Sequence, residues 1–425
     1  MRSAAPWGYP YVAEAEVVDM ARQSGKQQIA IGKNPERSRD HNRRVVLDVV
    51  RMHGSLGRMH IAKLTQLTAQ AVANIVDELV GEQLLMEIGR LRSGRGQPPI
   101  QFAVNPDGAV TIGTEIAADH IVTTVLDLSG QVRSRSIVAV EDTRPEYIVP
   151  FFARQVEAVR AQFPSKLLGI GVVMPGPFEI DGMSSVGPTT LPGWGSIDAA
   201  AVLSAASGET VIVENDANAA AVSERLFGAG RAISNFGMIY FGVGVGLGLI
   251  HDGAPFRGAF GNAGEIGHVV VAPRGRPCAC GQNGCLERYA SVYALKEKLA
   301  AAGFENSDFE AIEVMHREGN PVVREWIAET AEYLSPMVAM LENVLDPETL
   351  ILGGALPDAV IDDIIDALQA LPVSVASRRT RALPRVMRGQ TGQLTAALGA
   401  AALPLFEAVT PKMETSQTGV TEKVA

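Results

Sequence analysis

The 425-residue sequence is most informative first for what it lacks. It contains no run of eighteen apolar residues, so no segment is long and greasy enough to span a bilayer as a helix. Residues 1–36 lack the basic start and apolar stretch of a secretory signal. Cysteine is nearly absent, with three in the whole chain, which excludes a small fold stapled by several disulfides. These absences make a cytoplasmic location the expectation, with no membrane partner. The length suggests two to three domains, and an apolar fraction of 47% is ample for packed cores. Residues 1–36 read as a flexible extension, with a short helix near Val12–Arg22, and the polar tail 410–425 reads as disordered.

The three cysteines fall within eight positions, as Cys278, Cys280 and Cys285, and His268 stands ten residues before the first. Three thiolates and one imidazole complete the tetrahedral shell of a structural zinc ion. Gly281 and Gly284 let the chain turn tightly enough for such thiolates to converge. Buried cysteines acting as small hydrophobes, or a disulfide, are the competing readings. The polar loop, punctuated by Gly and Pro, favours metal over both. Four protein ligands leave no open coordination position, so a catalytic metal is not expected.

The net charge of −10 hides an asymmetry. Residues 37–105 carry ten Lys/Arg against six Asp/Glu, a basic block on an acidic body, which suggests a nucleic-acid-binding module. Its pattern is helical over Asn42–Gly54, with Val45, Val46, Val49, Val50 and Met52 on one face. A short helix near Met59–Thr65, the turn Gln66–Thr68 and a longer helix over 69–83 give a helix-turn-helix. Thr68 is its expected N-cap. Strands over 84–88 and 100–104 flank a basic turn from Gly89 to Gly96, and together they read as a wing. In such a module the second helix enters the major groove. Thr68, Gln70, Ala71 and Asn74 are then the groove-facing candidates, and Gln and Asn can each bond adenine twice. Arg90, Arg92 and Arg95 of the wing would meet phosphate or a minor groove. A helical protein-interaction module with incidental arginines is the plainer alternative.

From Val110 the pattern becomes α/β. Three strand-like runs precede a helix over 145–162 and a strand over 167–173, followed by the turn Met174–Pro177. A strand over 211–213 leads through Glu214, Asn215 and Asp216 to a helix over 219–227. Further on come a glycine run from Gly242 to Gly248, a long helix over 321–344 and a strand over 350–354. The long helix has an apolar stripe at Ile327, Ala331, Leu334, Val338 and Leu341, and Pro336 should bend it. A last helix spans 394–409.

The run Gly264-Glu-Ile-Gly-His268, followed by Cys278-x-Cys-Gly-x-x-Gly-Cys-Leu-Glu287, resembles the signature of the ROK family of repressors, open reading frames and kinases. The resemblance covers about Asp40 to Val409 and points to the family's transcriptional-regulator branch. It implies an N-terminal winged helix-turn-helix over 37–107 on a two-lobed, ribonuclease-H-like and actin-like sugar-kinase fold. Lobe 1 would span 108–230, completed by the helix 394–409. Lobe 2 would span 231–393, with the zinc loop and an oligomerisation helix. The family's sugar-site positions match Asn215, Asp216, Glu265, His268 and Glu287, with Asp216 at the kinases' general-base position. Carboxylates suit sugars because each can accept from two hydroxyls. A surface charge or helix cap is the bland reading of any one of them.

The departures from the family are as telling as the matches. Its kinases open the first lobe with a pattern like Ile-Gly-Ile-Asp-Ile-Gly-Gly-Thr, where this chain has Ile112-Gly-Thr-Glu115-Ile-Ala117-Ala118-Asp119. The glycines that would free backbone N–H groups for phosphate are alanines, and a carboxylate stands beside them. The second phosphate loop reads Gly242-Val243-Gly244, without its hydroxyl. Gln66 replaces the turn glycine usual in the family's DNA-binding modules. The combined expectation is a sugar-responsive regulator and not an enzyme. Its partners would be double-stranded operator DNA, a sugar or sugar-phosphate effector and a second copy in a homodimer or homotetramer. An active sugar kinase with a DNA-binding extension is the runner-up. A purely architectural DNA-binding protein is a third reading.

Overall fold

The computed structural model describes residues 35–90, 99–176, 191–195, 197–368, 371–376, 380–392 and 394–410. The expected helix near Val12–Arg22, the tail from 411, and Arg92 and Arg95 lie outside them. The first helix, α1 (Pro35–His53), starts earlier than the expected Asn42, because its charged opening turns have no apolar face to reveal them. It buries Val46, Leu47 and Val50. A two-residue strand β1 (Leu56–Gly57) leads to α2 (Arg58–Thr65) and α3 (Ala69–Gly81). The α3 face Val72, Ile75, Val76 and Leu79 is buried, as its 3.6-residue spacing requires. Gln66 joins the two helices at φ 57° and ψ 21°, a left-handed conformation that costs a non-glycine residue ~1 kcal/mol. Strands β2 (Leu85–Arg90) and β3 (Ile100–Val104) complete a sheet of order β1-β3-β2. Arg90 is therefore not in the wing turn, as the sequence suggested. It ends β2, opposite Ile100.

Two five-stranded sheets form the body. The first contains β4 (Ala109–Ile116), β5 (His120–Asp127), β6 (Val132–Ala139), β7 (Lys166–Val173) and β8 (Val211–Glu214), in the order β6-β5-β4-β7-β8. Helices α4 (Pro145–Gln162) and α5 (Ala199–Ser207) connect its later strands, and α6 (Asp216–Phe227) leads from β8 toward the second sheet. The second sheet contains β9 (Phe236–Phe241), β10 (Val245–His251), β11 (Ala254–Pro255), β12 (Thr349–Gly354) and β13 (Val386–Arg388), in the order β11-β10-β9-β12-β13. Each sheet has three antiparallel strands followed by two parallel ones, so the body is built from two copies of one topology. Helix α5 gave no signal in the sequence because its Ala-rich turns lack a distinct apolar face.

Helices α7 (Glu287–Ala290), α8 (Val292–Ala301), α9 (Phe309–Arg317), α10 (Pro321–Leu345) and α11 (Asp358–Ala367) belong with the second sheet. Helix α10 continues through Pro336. Its stripe Ile327, Ala331, Leu334, Val338 and Leu341 is buried in this lobe's own core, so any contact with another copy must use a different face.

The last helix, α12 (Thr395–Val409), crosses back and packs on β4, β7 and α6. It comes close because β4 and β7 carry glycines there. A methyl group at Gly113 would meet Ala401 N, and one at Gly171 would meet Ala400 O. Helices α6 and α12, both rich in alanine, thus lie between the sheets. The N-terminal module is not tethered loosely. Its core residues Val46, Leu47, Val50 and Phe102 run on into Leu128, Val222, Leu226, Leu405 and Phe406 of the body. Arg51 Nη1 also donates to Leu226 O at 3.0 Å.

Candidate ligand cleft, metal cluster and DNA-binding surface

The cleft between the sheets is organised by the start of α6. The chain leaves β8 at Glu214, and Asn215 caps the helix, its side chain accepting from Asn218 N at 2.8 Å. Asp216 is the first helical residue, and its Oδ1 accepts from Ala217 N at 2.8 Å. The cap is therefore Asn215 and not Asp216, and the helix begins before the expected Ala219. The other Asp216 oxygen, Oδ2, faces the glycine run, where a methyl group at Gly242 would stand 3.2 Å from it. A methyl group at Gly244 would run into Glu287 Oε2. One role of these two glycines is thus to make room for carboxylates.

Glu265 arrives from the loop before the short 3₁₀ turn Ile266–His268, and Glu287 opens α7. The structure brings both to Asp216. Withdrawal from water raises Asp216 to about 6, and the nearby Glu287 charge adds to this. Burial raises Glu265 to about 7, with Asp216 and Glu287 as further causes. Glu287 is also raised by burial, while His268, Arg288 and a hydrogen bond from the Val245 backbone N–H hold it back. Asn215 and Glu265 both border Gly176. The five residues matched by motif, Asn215, Asp216, Glu265, His268 and Glu287, therefore come together near the start of α6.

Three other groups belong to this region. Glu115, at the end of β4, is raised to about 7 by burial, with Asp216 and Asp119 adding and His120 opposing. Tyr240 lies buried beneath, its phenol held protonated by burial and by Glu115 and Asp216. Glu214 accepts from Asn215 N at 3.1 Å and Asn218 Nδ2 at 3.0 Å through Oε1, and from Arg257 Nε at 2.5 Å through Oε2. Arg257 comes from the loop that delivers Glu265, so this pair ties the two halves of the cleft together. Glu214 was visible beside Asn215, but nothing in the local sequence signalled Arg257. The β4–β5 turn through Ala117, Ala118 and Asp119 contains no left-handed residue, and exposed Asp119 pairs with His120 Nδ1 at 2.6 Å.

His268, Cys278, Cys280 and Cys285 converge, with all ligand atoms within 4.8 Å of one another, and could hold a metal ion. Cys280 Sγ is 3.6 Å from Cys285 Sγ, and Cys278 Sγ is 3.7 Å from His268 Nδ1. Tetrahedral zinc with bonds of ~2.3 Å needs sulfurs ~3.8 Å apart, so the donor set fits. Burial and the neighbouring thiols push Cys285 strongly up, and burial also raises Cys278, while hydrogen bonds from Gln282 and the other thiols lower Cys280. The loop is anchored behind. Arg276 stacks on Tyr289 at 4.6 Å and bonds Glu329 of α10 at 2.9 Å. Nδ1 is the His268 nitrogen that faces the thiols.

On the N-terminal module, Thr68 accepts from Ala71 N at 3.2 Å, so its hydroxyl caps α3. Gln70 and Asn74 are exposed one turn apart, and Gln70 Nε2 donates to Asn74 Oδ1 at 2.9 Å. Ala71 is half-buried beside them. The first turns of α3 thus present a short amide surface to solvent.

Residues 111–406 match the ROK family. The chain is 30% identical to a xylose repressor of Caldicellulosiruptor bescii over 329 residues, 73% of this chain and 82% of that protein. It is 33% identical to a glucokinase of Streptomyces coelicolor over 314 residues, 69% of this chain and 97% of that protein. Among solved structures, a ROK family transcriptional regulator described as a homologue of the E. coli MLC protein superposes with a TM-score of 0.70. The two are 22% identical, over 88% of this chain and 98% of that one, a likeness that speaks to the fold. With the family's pattern spread over both sheets, the cleft and the metal loop, this chain belongs to the ROK family.

Proposed function

We propose that the protein is a sugar-responsive transcriptional repressor of carbohydrate genes, built on a kinase scaffold that no longer transfers phosphate. One observation carries this reading. The carboxylates at the motif positions lie together, while the β4–β5 turn that would cradle phosphate holds Ala117, Ala118 and an exposed Asp119. The similarity to a xylose repressor and the packed N-terminal module support it. In this reading α3 enters the major groove, with Gln70 and Asn74 at base edges, Thr68 and Ala71 beside them, and Arg90, Arg92 and Arg95 toward the backbone or minor groove. Zinc on His268, Cys278, Cys280 and Cys285 fixes the loop that presents Glu265, His268 and Glu287. A homodimer or homotetramer would place two α3 helices on two half-sites, and sugar closing the cleft would alter their spacing.

The experiment is an operator titration with and without sugar, comparing the parent with Asp216→Asn. The variant should bind operator normally and respond poorly to sugar, since a charged acceptor worth ~1.5–3 kcal/mol is lost. Identical responses at the same sugar concentration would remove the effector site from this cleft. The glucokinase relative keeps a second reading in view, an active kinase carrying a DNA-binding module. Sugar-dependent ADP release well above background would put that reading first.

A further inference from the structure

Helix α6 has different neighbours at its two ends. Its first turn holds Asp216, after the Asn215 cap and beside Glu265 and Glu287. Its last turn is a seat for the N-terminal module. There Arg51 of α1, its side chain 4% exposed, donates from Nη1 to Leu226 O at 3.0 Å and from Nη2 to Asp48 Oδ1 at 2.9 Å. The last carbonyls of a helix have no partner within it and form its negative end, so a guanidinium fits there. Val222 and Leu226 of α6 pack with Val46, Leu47 and Val50 of α1. Arg225, in the same last turn, is attracted by Asp48 and repelled by Arg51, so one carboxylate stands between two cations.

The same place touches the second sheet. Arg225 Nη1 donates to Arg231 O at 2.8 Å, and Arg231 Nη2 donates to Met52 O at 3.4 Å. A methyl group at Gly253, in the turn between β10 and β11, would stand 3.5 Å from Arg225. Helix α1 in turn grips α3. Arg39 Nη2 bonds Glu78 at 2.8 Å, and Arg43 Nη2 bonds Glu82, just past the end of α3, at 2.7 Å. The chain that joins module and body is held as well. Asn105 Nδ2 donates to Gln83 O at 2.8 Å, Arg133 of β6 bonds Asp107 at 2.8 Å, and a methyl group at Gly108 would run into Gln83 O. The module is thus fixed to the body at two separate places. The 12 residues of α6 rise ~1.5 Å each, so its ends lie ~18 Å apart on one hydrogen-bonded rod.

We propose that Arg51 is the positioning residue that joins the two ends: through its bond to Leu226 O, α1 and with it α3 follow a displacement of the first turn of α6. This rests on the reading of the cleft as the effector site and of α3 as the helix that meets DNA. The orientation of the module is then set by α6 and not by a free linker. A buried guanidinium adds little stability beside apolar packing of the same volume, so what Arg51 contributes here is geometry.

The test uses the full chain, a DNA duplex selected by the parent from a random pool, and D-xylose, D-glucose and N-acetyl-D-glucosamine as sugars. The quantity read is the ratio of DNA dissociation constants with and without sugar, for the parent, Asp216→Asn, Arg51→Met and Arg51→Lys. Methionine keeps much of the packing and removes both bonds, while lysine keeps the charge. Arg51→Met should bind sugar as the parent does, by calorimetry. Its ratio should fall to within about twofold of unity, from the roughly 5–150-fold range of such couplings, with Arg51→Lys in between. The parent's ratio in Arg51→Met, or a lysine variant no better than the methionine one, would overturn the inference and leave the cleft as the effector site. A sugar response unchanged in Asp216→Asn, or no response of the parent to any of the three sugars, would overturn the effector-site reading and the inference with it. Hydrogen exchange on the parent requires no variant to fold. Sugar should change exchange at both ends of α6 and over 46–51 together, and a change confined to the first turn of α6 would overturn the inference.

Discussion

Replacing Glu224 should loosen the body at the joint between its lobes. Glu224 lies on α6 and is 1% exposed. Its Oε1 accepts from Gln390 N at 2.8 Å, Thr391 N at 2.9 Å and Thr391 Oγ1 at 2.7 Å, and its Oε2 accepts from Ala229 N at 2.7 Å. Gln390 and Thr391 lie on the segment that returns from β13 to α12, so one carboxylate latches the crossover between the lobes. Glu224→Ala leaves three backbone N–H groups without their partner. Each costs ~1–3 kcal/mol if unmet, and water entering the vacated space would recover part of that. A net loss of ~3–5 kcal/mol is expected. Glu224→Gln keeps the shape and can serve the three donors on the Oε1 side. It opposes its amide to Ala229 N–H, for a loss of ~1–2 kcal/mol. Urea unfolding followed by tryptophan fluorescence reads this directly, because Trp194 and Trp326 are buried in different lobes. Glu224→Ala should lower the midpoint and separate the two lobes' transitions, with Glu224→Gln between it and the parent. An unchanged midpoint, or equal losses for the two variants, would refute the reasoning.

Cys280→Ser should release metal, measured by elemental analysis, and lower the melting temperature, because the loop bearing Glu265 and Glu287 loses its frame. Protein purified without chelator that holds no zinc would count against the cluster's role. Glu115 is raised from 4.5 to about 7, so the folded state holds its proton more tightly than the unfolded chain does. Its contribution is fully present below the unfolded value and is lost as pH rises through about 7. Glu115→Gln should therefore flatten the fall in melting temperature across that window, and parallel profiles for variant and parent would contradict this. Gln70→Ala and Asn74→Ala should each relax base preference by ~1–3 kcal/mol at one or two operator positions. Because the two side chains are bonded to each other, the double variant should cost less than the sum, and strict additivity in a binding titration would dissociate them.

Much of this protein was legible in its sequence wherever the information is local. The metal cluster rests on four residues within a short stretch, and spacing alone limits what such residues can do. Helix α3 was legible because its buried positions recur at the helical period. The motif carboxylates could be matched one by one, although only the fold showed that they share a cleft. Strand β1, with two residues, is too short to display a period, and α5 has alanines on every side, so neither could be read.

The sequence by itself determined the family and supplied the motif residues Asn215, Asp216, Glu265, His268 and Glu287. Tertiary structure alone decided how those groups are coupled. Arg257 meets Glu214 across 43 positions, and Gln390 meets Glu224 across 166. The joint between the N-terminal module and the body is a single packed cluster drawing on α1, α6 and α12. It was also the fold that closed the amide donors at the start of α6. Local pattern reports which face of an element is apolar. Which distant charge satisfies a buried carboxylate depends on how the elements pack, and that is set only when the whole chain has folded.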